Sequence, residues 1–89
     1  MEIKDIVDER QATHGDFSDT SFRAQSIKQV IRAGRNYRDL SCCQREALDM
    51  MCSKLSRILE GSPNVIDHWA DIAGYSECVV RYLERGLDD

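Results

Sequence analysis

The chain has 89 residues, a formal net charge of -4 and an apolar fraction of 42%, which suits one globular domain with a modest core and excludes a second one. One Pro and five Gly argue against a fibrous or disordered chain, and no apolar run approaches the roughly 20 residues of a membrane span. An acidic chain is also a poor candidate for a dedicated nucleic-acid binder, because neutralising phosphates supplies most of such a protein's affinity.

Near the start, Glu2-Ile3-Lys4-Asp5 carries no apolar stretch of signal-peptide type, so a soluble, cytoplasmic protein is expected. Cys42, Cys43, Cys52 and Cys78 agree with that. The vicinal pair is awkward for disulfides, and neither C-x-x-C nor paired His completes a zinc pattern, so reduced thiols acting mostly as small core residues are expected.

A first amphipathic helix is expected from Glu2 to Ala12, with Ile3, Ile6, Val7 and Arg10 on one stripe. It stops near Gly15, in a connection rich in turn formers where Phe17 needs a packing partner. A second helix is capped between Ser18 and Thr20 and runs to Ala33, before Gly34, with Ala24, Ile27 and Ile31 apolar and Val30 at the margin. From Ser21 to Arg38 the chain has Arg23, Lys28, Arg32, Arg35 and Arg38 but no carboxylate. Such a segment complements acidic neighbours or meets a phosphate-bearing partner.

Ser41-Cys42-Cys43-Gln44 reads as a capping box that opens a third helix ending at Gly61. Its apolar face holds Ala47, Leu48, Met51, Cys52, Leu55, Ile58 and Leu59, with Glu46, Asp49, Ser53, Ser56 and Arg57 opposite. After Ser62-Pro63-Asn64 a fourth helix runs from Val65 to Arg85 and stops at Gly86. It shows two stripes that avoid water. Trp69, Ile72, Ala73, Ser76, Val80 and Leu83 form the expected core stripe. Asp67, Asp71, Tyr75, Cys78 and Tyr82 form a second one for a bundle interior or subunit interface. Gly74 is expected where a neighbouring helix approaches closely, because an exposed mid-helix Gly costs about 1 kcal/mol. The pattern predicts an all-α, four-helix bundle-like single domain whose two long C-terminal helices form an antiparallel hairpin. A homo-oligomer, dimer or tetramer, would cover the second face.

Two groups of acids carry the candidate chemistry: Glu46 and Asp49 on the third helix, and Asp67 and Asp71 on the fourth. Acids three or four apart on neighbouring helices can converge, and magnesium takes such carboxylates together with waters and phosphate oxygens. Lys54 and Arg57 offer cations for anionic oxygens. Structural roles compete: Asp67 suits a helix N-terminus, Asp49 can pair with Arg45, and Asp71 with Lys54 or Arg57. His14 and His68 fit hydrogen-bonded structural positions.

The segments Glu46-Ala47-Leu48-Asp49 and His68-Trp69-Ala70-Asp71-Ile72-Ala73-Gly74-Tyr75 resemble the acidic helices of the MazG-like, all-α NTP pyrophosphatases. Asp49 stands where that pattern has Glu, and His68 where it has a third acid, with Asp67 adjacent. The resemblance implies an oligomeric enzyme in which Glu46, Asp49, Asp71 and Asp67 hold Mg2+ while Lys54 and Arg57 bind a nucleoside triphosphate. Across more of its length the chain resembles small proteins of tailed phages and prophages, through Thr13-His14-Gly15-Asp16-Phe17, Lys54-Leu55-Ser56-Arg57-Ile58 and Asp67 to Tyr75. That second resemblance implies an origin in a bacterial host rather than an activity, and leaves open a non-catalytic oligomeric module that binds a host or phage protein.

Overall fold

The computed structural model describes residues 2–86. Among them the chain forms four α-helices, α1 (Ile3–His14), α2 (Phe17–Arg32), α3 (Cys42–Glu60) and α4 (Ile66–Glu84), with one 3-10 turn at Tyr37–Asp39 and no strand. This is the all-α, bundle-like architecture that the apolar spacing predicts. No helix of the described residues is long and apolar enough to cross a membrane.

Local signals set most of the boundaries. The capping box is formed in full: Ser41 Oγ accepts from the Gln44 N–H at 3.1 Å, and Gln44 Oε1 accepts from the Ser41 N–H at 2.9 Å. The start of α2 differs from expectation. Asp16 is its cap, accepting from the Ser18 N–H at 2.9 Å and the Ser18 hydroxyl at 2.6 Å, and these bonds hold the Asp16 carboxyl below its ordinary pKa. Ser18 and Thr20 are thereby drawn into the helix, and Phe17 becomes its first residue, 77% exposed and without the packing partner it was expected to need.

Arg45 closes the α2–α3 connection. Its guanidinium donates to the Arg38 carbonyl at 2.8 Å and lies 5.2 Å from the centre of the Tyr37 ring. The end of α1 is fastened just as specifically. The Thr13 carbonyl accepts from the Ser62 N–H at 3.1 Å and faces His68 Nε2 at 3.4 Å, tying α1 to both the hairpin turn and α4. His68 is buried, with its ring 5.2 Å from that of His14.

The central element is α3. It packs against α2 and against α4, while α1 lies across the α2–α3 pair. Because α2 occupies the side where Ser53, Ser56 and Arg57 were expected to meet solvent, Ser56 is buried, its hydroxyl donating to the Ser53 carbonyl at 2.7 Å. A small, internally bonded side chain lets the helices approach without an unpaired polar group. Conversely, Leu55 and Leu59, assigned to the core by periodicity, are exposed.

The same exchange occurs on α4. The buried and half-buried positions are His68, Asp71, Ile72, Tyr75, Val79 and Tyr82, which include most of the second stripe, the one expected to face a bundle interior or a subunit, and it is the bundle interior that takes them. Of the expected core stripe only Ile72 is covered; Trp69, Ala73, Ser76, Val80 and Leu83 are exposed. Both stripes recur at helical spacings near three and four residues, so period alone does not choose between them. His68 beneath the end of α1 and Asp71 paired with Lys54 fix the rotation of the helix.

The buried apolar core is correspondingly small: Ala24, Ala47, Cys52 and Tyr82. None of the four cysteines forms a disulfide; only Cys52 is buried, and burial pushes its thiol above its usual range. With helices side by side rather than around a common axis, the molecule measures 44 × 25 × 24 Å. Its radius of gyration, 14.9 Å, exceeds the roughly 12 Å of a compact domain of this length.

Candidate functional site

The acids singled out from the sequence lie on the hairpin, but each has its own surroundings. Asp71 Oδ2 is 2.9 Å from Lys54 Nζ, and Lys54 is mostly buried. This is one of the ion pairs foreseen for Asp71. Asp49 pairs with Arg32 on α2 at 3.8 Å, since Arg45 is committed to the Arg38 carbonyl. Glu46 and Asp67 are exposed. Among the described residues no three His, Cys, Asp or Glu side chains gather as a metal site. A hard cation such as Mg2+ needs carboxylate oxygens converging in octahedral array. The donor set of a single chain, with Asp71 paired to Lys54, Asp49 within 3.8 Å of Arg32 and no convergence of the acids among the described residues, does not fit it.

The cations separate as well. Lys54 is spent on Asp71, whereas Arg57 turns to the side of α3 covered by α1 and α2. Part of the basic α2 segment is structural, because Arg23 binds Glu60 at 2.8 Å and Arg32 binds Asp49. That is charge complementation between neighbouring helices.

The most distinctive surface is the outer face of α4. Ile66 (81% exposed), Trp69 (54%), Val80 (44%) and Leu83 (54%) stand on one stripe with Ala73 and Ser76 between them. Trp69 is held there rather than loose, its indole N–H donating to the Pro63 carbonyl at 2.8 Å. Leu55 and Leu59 extend the apolar surface onto α3. A groove of about 270 Å³ between the helices, lined by Leu48, Met51, Ser76 and Val79 among others, joins the two. Gly74 has no atom within 4 Å of where a Cβ would stand. No helix of its own chain makes the close approach expected at Gly74.

The apolar residues of this face were legible in the sequence, but as core. Its exposure was not, because that depends on which stripe α3 accepts. Compared with known proteins, the chain matches no family model, no curated relative and no solved structure.

Proposed function

We propose that this chain is a non-catalytic helical interaction module that pairs with a second copy of itself through the outer face of α4. The observation that carries the reading is the exposed stripe Ile66-Trp69-Ala73-Ser76-Val80-Leu83. The order of side chains along it is self-complementary. If two α4 helices cross antiparallel about a point between Gly74 and Tyr75, Ile66 of one meets Leu83 of the other, Trp69 meets Val80, and Ala73 meets Ser76. Large residues then flank small ones at the crossing, as close helix contact requires. A monomer gains nothing from a stripe with this symmetry.

Surface area supports the same occupant. The accessible surface is 6526 Å², whereas a compact monomer of 10.2 kDa exposes roughly 5,300 Å². The excess, about 1,200 Å², is of the order that a stable interface removes from each partner, about 800 Å². Magnesium-dependent hydrolysis of a nucleoside triphosphate, the activity that the MazG-like resemblance implies, requires Glu46, Asp49 and Asp71 on one cation. The Arg32–Asp49 and Lys54–Asp71 pairs compete with that arrangement, so the favoured reading is non-catalytic.

Light scattering after size exclusion tests the proposal. The protein should elute as a dimer whose dissociation follows dilution, and Val80→Glu and Trp69→Glu should each give a folded monomer. A native chain that stays monomeric at millimolar concentration overturns the reading.

A further inference from the structure

On the far side of α3 from the apolar face, α1, α2 and α3 line an open cleft of about 390 Å³. Each helix contributes one cation to its lining: Arg10 from α1, Lys28 from α2 and Arg57 from α3. Among the described residues no carboxylate lines it. Among the described residues none of the three cations makes an ion pair, although Arg23, Arg32, Lys54 and Arg81 all do. Cationic groups from three helices with no acidic group in the described lining make a surface suited to an anion. Buried Ser56 and Ala24 lie in its lining, and exposed Phe17 and Val7 supply an apolar rim.

We propose that this cleft binds a small phosphomonoester with a compact apolar or aromatic body, the phosphoryl group lying among Arg10, Lys28 and Arg57. Guanidinium forks match phosphate oxygens bidentately, and an ammonium adds a point charge. The volume falls within the range of small-molecule sites, about 300–1,000 Å³. Phe17, 77% exposed, offers a flat surface for the apolar body. His14 stands in the wall, and its pKa is lowered first by burial and then by Arg57, His68, Lys54 and Arg10, of which only Arg57 and Arg10 also line the cleft. The cleft does not involve the α4 face, so this site stands or falls independently of self-pairing.

The experiment uses the full chain, labelled with nitrogen-15, titrated with phenyl phosphate, inorganic phosphate and phenol in separate arms. Phenyl phosphate should give saturable shifts centred on the amides of Gln11, Ser21, Gln25 and Ser53. Inorganic phosphate should move the same amides with about tenfold weaker affinity, and phenol should leave them unmoved. Lys28→Gln and Arg57→Gln should each weaken phenyl phosphate about tenfold or more, with the remaining spectrum showing that the fold is kept. Absence of saturation, or unchanged affinity in both variants, overturns the site. Equal affinity for phosphate and phenyl phosphate overturns the assignment of an apolar body.

Discussion

Gly15 and Gly61 meet backbone to backbone where α1 crosses the end of α3. A Cβ on Gly15 would stand 2.6 Å from the Glu60 carbonyl oxygen, and one on Gly61 would stand 2.5 Å from the His14 carbonyl carbon. Gly15 also has a φ of +84°, a region that side chains disfavour. Gly61→Ala is therefore expected to cost about 1–3 kcal/mol from the clash alone. Gly15→Ala, which adds backbone strain, should cost about 2–4 kcal/mol. At about 4–8 °C per kcal/mol for a domain of this size, thermal melts resolve both. A melt unchanged by either substitution would show that α1 does not dock at this crossing.

Lys54 and Asp71 are unequal partners, since the Lys54 side chain is 13% exposed and that of Asp71 46%. Removing the acid strands a largely buried ammonium, whereas removing the cation leaves a carboxylate that water can reach. Asp71→Ala should thus destabilise by about 1–3 kcal/mol, and Lys54→Met, which keeps the apolar stem, by less. Urea midpoints of the two variants give the order. If Lys54→Met is the more damaging, the pair does not govern the rotation of α4.

How far the fold could be read in advance depended on how local each determinant is. The Ser41–Gln44 box and the stop at Gly61 involve neighbours in sequence, and they stand where the residues put them. The choice between the two stripes of α4 is not local. Trp69, Val80 and Leu83 are more apolar than His68, Asp71 and Tyr75, so hydrophobicity ranks the wrong face as core. The deciding groups, Thr13 and Lys54, lie on other helices. Asp71 showed its need for a cation, and one of the two cations named for it is the partner. Arg10 and Lys28 carry no local signal of a shared site, because only the packing of three helices places them in one cleft lining with Arg57.

Magnesium separates the two readings of the acidic residues. With Asp49 and Asp71 held by Arg32 and Lys54, millimolar magnesium should leave the melting temperature unchanged, and Asp71→Ala should not alter that response. A metal-dependent rise that disappears in Asp71→Ala would instead show the acids reorganising around a cation, because a ligand that binds only the folded state stabilises it.

Trp69 reports on self-pairing without a label, being the only Trp and 54% exposed. As concentration rises through the dimerisation range its emission should shift to shorter wavelength, and Val80→Glu should abolish the shift while leaving the dilute spectrum unchanged. In the antiparallel pairing Val80 covers Trp69 of the other copy, so this variant tests the register as well as association. A shift that persists in Val80→Glu but is lost in Leu59→Glu would place the contact on α3 instead.

His14 makes stability depend on pH. Its folded pKa is lowered from 6.5, by burial first and then by Arg57, His68, Lys54 and Arg10, so the folded chain takes up its proton later than the unfolded chain does. The unfolded state therefore binds more protons as pH falls through 6.5, and stability declines with falling pH until the folded pKa is passed. Above 6.5 the contribution is fully present. Asp16 acts in the same direction but in a separate window, since its folded pKa is lowered from 3.8. Melting temperatures measured from neutral pH down to pH 5 should fall for the native chain, and fall less steeply for His14→Gln. A variant with the same slope would assign the decline to another group. Phosphate buffer offers a further check on the cleft. An anion bound in the cleft offsets Arg57 and Arg10, two of the groups that depress the His14 pKa, so the decline should be shallower in phosphate than in chloride at equal ionic strength.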